Sequence, residues 1–145
     1  MTKSLLRAIV IGMLGGAGAA MATPAAAATY YPKLVNNSAY PVTLTKVSWS
    51  GSYNPQIAAS VAPRTSSNTA TYKTMATSGF GYLEFDASFT NAAGVVSTCS
   101  FYLSVSNSTG QVSSVQGVRK AGTPLPSCVA TYSGTSVLFT IAEGV

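Results

Sequence analysis

The chain has 145 residues, of which 8% are charged, and it contains no histidine. Without histidine, neither a Ser-His-Asp triad nor a Cys-His pair can form, and the commonest zinc ligand sets are excluded as well. The formal net charge of +5 comes from lysines and arginines that are spread along the chain, whereas nucleic-acid-binding domains cluster these residues in one stripe. We therefore do not expect a nucleic-acid partner.

The first 28 residues have the pattern of a secretory signal peptide. Lys3 and Arg7 precede an apolar run, and Ala26 and Ala28 have the A-x-A spacing of a signal-peptidase site. Cleavage near Ala28 predicts a secreted or periplasmic protein, and the alanine-rich leader indicates a bacterial one. The remaining 117 residues, Thr29 to Val145, have the length of one domain, carry a net charge of +3 and include no further segment able to cross a membrane.

Short segments rich in β-branched and aromatic residues predict the first strands. They are Tyr30 to Val35, Tyr40 to Trp49 and Ile57 to Val61, followed by the polar segment Ser66 to Tyr72, which predicts an edge strand. In the second strand, alternation places Val42 and Leu44 on the core face. The same alternation places Trp49 on the opposite face, at the rim of the domain or capping its end.

A hairpin is the clearest element of the sequence. Polar and apolar residues alternate from Tyr82 to Phe89 and again from Val95 to Val105, and the connector Asn91 to Gly94 has the length of a turn. The core face of the second strand includes Cys99. With Cys128 it makes an even cysteine count in an exported chain, which predicts one disulfide that closes a loop of about 29 residues.

The last third of the chain predicts further strands. Val112, Val115 and Val118 recur at helical spacing, but nearby glycines favour an irregular strand or loop. Ser127 to Tyr132 and Thr135 to Ile141 alternate again and predict two strands joined by a tight turn. Seven or eight short strands without an amphipathic helix predict an all-β fold, an antiparallel β-sandwich of the Ig-like or jelly-roll-like kind.

Candidate functional residues are aromatic and acidic. Tyr82 and Tyr102 lie on the non-core face of the hairpin, where they could line a polar groove; the alternative is that loops cover this face. Trp49 and Tyr53 flank the turn residues Ser50 to Ser52, and either form a recognition loop or fold back as a lid on the core. Tyrosine and tryptophan suit the recognition of sugars, lipids or proteins.

Glu84 and Asp86 are two residues apart on one strand face, with carboxyl groups about 6 to 7 Å apart. Glycoside hydrolases use pairs of carboxyl groups at about this distance. The alternative is that the two acids lie on the solvent face of a half-buried strand and have no catalytic role. No other catalytic, phosphate-binding or calcium-binding motif is present, so we expect no enzyme, cofactor or metal.

Three hypotheses follow from these patterns. The first is a non-enzymatic binding module for a glycan, lipid or protein surface. The second is a self-assembling subunit of a pilus or coat, in which Tyr30 to Val35 would serve as the strand exchanged between copies. The third, the least favoured, is a glycan-active enzyme that uses Glu84 and Asp86.

Overall fold

The computed structural model describes residues 27–145, so the predicted signal peptide lies outside the described residues except for its last two alanines. Ala28 is hydrogen-bonded to Thr74. Its N–H donates to Thr74 Oγ1 at 2.9 Å, and its carbonyl oxygen accepts from the Thr74 N–H at 2.9 Å. A chain that was cut immediately after Ala28 would lose both hydrogen bonds.

Within residues 27–145 the chain forms eleven strands in two packed sheets, which confirms the predicted all-β sandwich. Seven strands span seven to eleven residues, and four span only two residues. They are β1 (Thr29–Asn36), β2 (Val42–Trp49), β3 (Ser52–Tyr53), β4 (Ser60–Val61), β5 (Thr65–Ser66), β6 (Tyr72–Lys73), β7 (Phe80–Thr90), β8 (Val96–Ser106), β9 (Val112–Ala121), β10 (Ser127–Ser133) and β11 (Ser136–Ala142).

The six-stranded sheet has the order β10-β11-β1-β6-β3, with β5 also paired to β1, and the five-stranded sheet has the order β4-β2-β7-β8-β9. All pairs are antiparallel except β1 with β11, which are parallel. The prediction of an antiparallel sandwich is therefore correct for every strand pair except this one. Because β1 is paired on both sides and buries Tyr30 and Leu34, the segment predicted as an exchanged arm is held inside its own sheet.

The inward-facing residues of both sheets form one core. At its centre the rings of Phe85, Phe101 and Phe139 lie 5.1 to 5.5 Å apart and are almost completely buried. The burial of each such side chain contributes about 1.5 to 3 kcal/mol. The β7–β8 hairpin carries two of the three rings, so the predicted hairpin is confirmed as the centre of the domain.

The predicted disulfide between Cys99 and Cys128 is also present, with the two Cα atoms 5.6 Å apart. It joins β8 of one sheet to β10 of the other. Beside it, a Cβ atom on Gly117 would lie 2.8 Å from the carbonyl oxygen of Cys128, so glycine allows β9 to approach β10 closely. Gly117 lies in the ten-residue strand β9, whose register with β8 shifts at two places, so the segment forms the irregular strand that was one of the two predicted alternatives.

Two short segments differ from the sequence prediction. Ser66 to Tyr72 is not one edge strand, because β5 and β6 pair separately with the two ends of β1. Of Ile57 to Val61 only the last two residues form a strand. No helix in residues 27–145 has the length and apolar character needed to span a membrane.

Candidate binding face

The outer surface of the five-stranded sheet from β2 to β9 is named the polar face. Strand register places Ser48, Glu84, Tyr102 and Gln116 in one row across four strands. Side chains that are directly opposite each other on paired strands lie on the same side of a sheet. Tyr82 lies in the adjacent row, so it is a diagonal neighbour of Tyr102. The two tyrosines that the sequence predicted to share a groove are therefore brought together.

Within residues 27–145, the polar face is much less covered than the core face of the same sheet. Leu83 and Leu103 point inward and are completely buried, whereas Tyr82 and Tyr102 are half-buried and Glu84 is exposed. The alternative that loops cover this side of the hairpin is therefore wrong for the central row. A sheet whose outer face meets solvent explains the alternation of polar and apolar residues that was read from the sequence.

Hydrogen bonds hold Tyr82 in place. Its hydroxyl lies 3.1 Å from Ser48 Oγ on the neighbouring strand, so the ring reaches across the sheet surface from β7 to β2. Its backbone N–H donates to Ser50 Oγ at 3.1 Å, and its carbonyl oxygen accepts from the Ser50 N–H at 3.0 Å. A ring that is fixed before binding loses less conformational entropy when a ligand contacts it.

Asp86 lies at the next row of the polar face, at the edge of a shallow depression of about 110 Å³. Asp86 is only 6% exposed. Its Oδ2 atom lies 3.6 Å from Lys46 Nζ and 3.5 Å from Lys120 Nζ. Both lysines are exposed, so each pair contributes little to stability, but together they compensate the charge of a buried carboxylate. Asp86 is thus accounted for by its ion pairs, while the proposed catalytic pairing with Glu84 stays a prediction.

Tyr53 has a different environment from the one its sequence position indicated. It is 4% exposed, and its hydroxyl accepts a hydrogen bond from the Ile57 N–H at 2.9 Å. Burial raises the pKa of Tyr53 to about 12, while the hydrogen bond from Ile57 acts in the opposite direction. A ligand on the surface cannot reach this hydroxyl, so Tyr53 supports the core beneath the loop.

Trp49 lies on the inner side of its strand, not on the outer side that alternation predicted. The register between β2 and β7 shifts between Thr45 and Ser48, which is a β-bulge, and Lys46 within it has a φ of 52°. One extra residue reverses the alternation beyond it. Trp49 consequently pairs with the buried Leu83, packs edge-on against Tyr53 at 5.6 Å and keeps 38% of its surface exposed at the rim.

Three members of the polar face were not identified from the sequence. Lys46 and Lys120 contribute the ammonium groups beside Asp86, and their proximity depends on strand register and on the bulge, which no local pattern reveals. Phe80 is 64% exposed and lies on the same side of β7 as Tyr82, two residues away. Phe80 could have been identified from the sequence, because the alternation that placed Tyr82 on the outer face extends two residues further to Phe80.

No group of three or more His, Cys, Asp or Glu side chains in residues 27–145 is arranged to hold a metal ion. Comparison with protein-family models gave no match, and a search of curated proteins found none that is significantly similar to this chain.

Proposed function

We propose that the chain is an exported binding protein that holds a neutral glycan against the polar face. The observation that carries the proposal is the row in which Tyr102 and Glu84 lie between Ser48 and Gln116, with Tyr82 beside it. Glu84 and Gln116 are exposed, and Ser48 and Tyr102 are half-buried. A tyrosine ring offers an apolar surface to the C–H groups of a sugar, and it loses little conformational freedom on binding. Carboxylate, amide and hydroxyl groups around it bind the sugar hydroxyls.

The charges of the polar face favour a neutral ligand. Lys46 and Lys120 balance Glu84 and Asp86, so the face offers no net attraction for an anionic polymer or an anionic membrane. The cores of protein interfaces are enriched in aromatic residues but depleted in serine. The polar face also carries many small hydroxylated residues, which fit a ligand rich in hydroxyl groups better than a protein or a lipid. They include Thr43, Thr45, Ser48, Ser88, Thr98, Ser100, Ser104 and Ser114.

The assembly hypothesis finds less support. An exchanged strand leaves its own sheet, and here the candidate strand β1 is paired to β11 on one side and to β5 and β6 on the other. Its removal would expose Leu34, which is completely buried, and the side chain of Asn36. Asn36 Nδ2 donates to the carbonyl oxygens of Tyr40, Val61 and Ala62 at 2.8 to 3.1 Å, and the bond to Val61 connects β1 to β4 of the other sheet.

The proposal is tested by depletion of the purified protein from solution with insoluble neutral polysaccharides, followed by affinity measurements on variants. Tyr102→Ala should weaken binding about tenfold, equivalent to 1.4 kcal/mol. Tyr31→Ala is the matched control, because Tyr31 is a 44% exposed tyrosine on the outer surface of the other sheet. Equal affinities of the two variants, or no binding to any neutral polysaccharide, would refute the proposal.

The enzyme hypothesis is tested in the same preparation. Glu84→Gln keeps the size of the side chain and its hydrogen-bonding capacity but removes the carboxylate. A binding protein should release no soluble sugar from the polysaccharide that it binds, with or without this substitution. Release of sugar by the original protein and its loss in Glu84→Gln would establish catalysis instead.

A further inference from the structure

A second concave site lies at one end of the sandwich and is named the end cleft. It has a volume of about 180 Å³. Along β7, Phe89 in the cleft is five residues beyond Glu84 of the polar face, a distance of about 17 Å. Its lining is formed by Tyr40, Phe89, Asn91, Ser97, Thr123, Pro124, Glu143 and Gly144. None of these residues belongs to the polar face, so the end cleft is a separate site.

Two stacked aromatic rings form part of the cleft wall. The rings of Tyr40 and Phe89 are nearly parallel, with an angle of 11° between their planes and 5.9 Å between their centroids. Phe89 is 3% exposed and belongs to the core, whereas Tyr40 is half-buried. The buried ring therefore supports the outer one and holds it in position beside the cleft.

The polar groups of the cleft are fixed by contacts outside it. Asn91 Oδ1 accepts from the N–H groups of Ala93 and Val95 at 3.0 and 2.9 Å, which leaves its amide NH2 as the group for a ligand. Glu143 Oε1 accepts from the Ala39 N–H at 3.1 Å, and Oε2 lies 3.5 Å from the guanidinium of Arg64. The cleft thus has a donor and an acceptor of defined orientation.

Ser97 provides a third polar group, although the residue is only 4% exposed. The position next to it is Gly122, which has a φ of 122°, a conformation that favours glycine. A Cβ atom at this position would lie 2.5 Å from Ser97 Oγ. Glycine therefore allows the backbone at position 122 to pack closely against Ser97, which holds this residue in place at the wall of the cleft.

We propose that the end cleft binds one neutral sugar residue. The cleft combines an aromatic wall with a carboxylate, an amide and hydroxyl groups. No lysine or arginine lines it, and Arg64 beside Glu143 is already paired with that carboxylate, so an anionic ligand would meet no unpaired positive charge in the lining. The volume of the cleft is about that of six molecules of liquid water. It is smaller than the pockets of 300 to 1,000 Å³ that bind drug-sized ligands. There is room for one ring, as a free monosaccharide or as the terminal residue of a glycan.

Calorimetric titration of the purified exported protein tests this site. The ligands are glucose, galactose, mannose and N-acetylglucosamine, each up to about 100 mM. This concentration is far above the dissociation constant of about 1 mM that corresponds to a binding free energy of about 4 kcal/mol. At least one should bind, and glucuronate should not. Glu143→Gln and Thr123→Val should each weaken binding about tenfold. The absence of heat from all four sugars, or unchanged affinity in both variants, overturns the inference.

Controls separate the end cleft from the polar face. Tyr102→Ala should leave monosaccharide affinity unchanged; loss of it in this variant would mean that the cleft is not an independent site and would overturn the inference. A trisaccharide that carries the bound sugar at its non-reducing end distinguishes the two ligand sources. Equal or tighter binding than the monosaccharide identifies a glycan terminus as ligand, and weaker binding identifies the free sugar.

Discussion

Tyr53 and Tyr102 show how differently two tyrosines of one chain can be used. Both were candidates for ligand binding, since both stand beside polar residues in the sequence. Alternation along β8 correctly located Tyr102, because nothing interrupts that strand near it. Tyr53 follows an irregular loop and belongs to a two-residue strand, so no periodicity was available to predict that it points inward and accepts the Ile57 N–H.

The buried hydroxyl of Tyr53 predicts a loss of stability at alkaline pH. The pKa is about 12 in the folded chain and about 10 when unfolded, so between these values the unfolded chain releases a proton that the folded chain retains. The contribution of Tyr53 to the free energy of unfolding is therefore fully present below pH 10 and is lost as the pH rises toward 12. The decrease from this residue is at most about 3 kcal/mol, measured by urea unfolding at a series of pH values.

Tyr53→Phe provides the control for this pH dependence. At pH 7 it should be roughly 1 to 3 kcal/mol less stable, because the buried Ile57 N–H loses its acceptor. Between pH 10 and 12 it should lose less stability than the original chain. Part of the decrease should persist, since burial also raises the pKa of Tyr72 and Tyr30. An identical decrease in both proteins would contradict the assignment to Tyr53.

At the scale of the element, the β-bulge at Lys46 decides what the end of β2 contributes to the fold. Simple alternation correctly predicted the inward residues Val42 and Leu44 before the bulge and failed for Trp49 after it. A bulge is often marked by glycine in the left-handed region, but here a lysine adopts a φ of 52°. The sequence therefore carried no sign of the shift.

Deletion of Lys46 should remove the extra residue of β2 and restore uninterrupted alternation, with Ser48 still opposite Glu84 and Trp49 still facing inward opposite Leu83. The expected result is that the emission of Trp49, the single tryptophan, does not shift. Lys46→Gly is the matched control. It keeps the bulge, relieves the positive φ and removes one exposed ion pair, so emission should not change and stability should change by less than about 1 kcal/mol. A red shift of the emission in the deletion variant would contradict the offset of one residue between β2 and β7.

At the scale of the whole molecule, the sequence was sufficient for the architecture but not for the topology. Strand alternation and the two cysteines predicted a disulfide-linked sandwich, because each follows from local pattern or from simple pairing. The parallel pairing of β1 with β11 joins segments about a hundred residues apart, and the register that aligns Glu84 with Tyr102 and Gln116 is set across three strands. Such long-range pairings leave no trace in a single sequence.

The disulfide between the two sheets should supply a large part of the stability of this small domain. Closing a loop of 29 residues restricts the unfolded chain and is worth about 3 to 4 kcal/mol. The double variant Cys99→Ala/Cys128→Ala should lose approximately this amount in urea unfolding. A reducing agent should lower the stability of the original chain and leave that of the variant unchanged. A loss of less than about 1 kcal/mol would mean that the sheets hold together without the crosslink.

The most direct test of the account is a map of backbone amide chemical shifts during titration with a soluble oligosaccharide of the polysaccharide that the protein binds. We expect the largest changes at Ser48, Glu84, Tyr102 and Gln116, the row that spans four strands of the polar face. Amides around Tyr31 on the opposite sheet should not change. Changes concentrated on that opposite sheet, or no changes at all, would contradict the assignment of the polar face as the binding site.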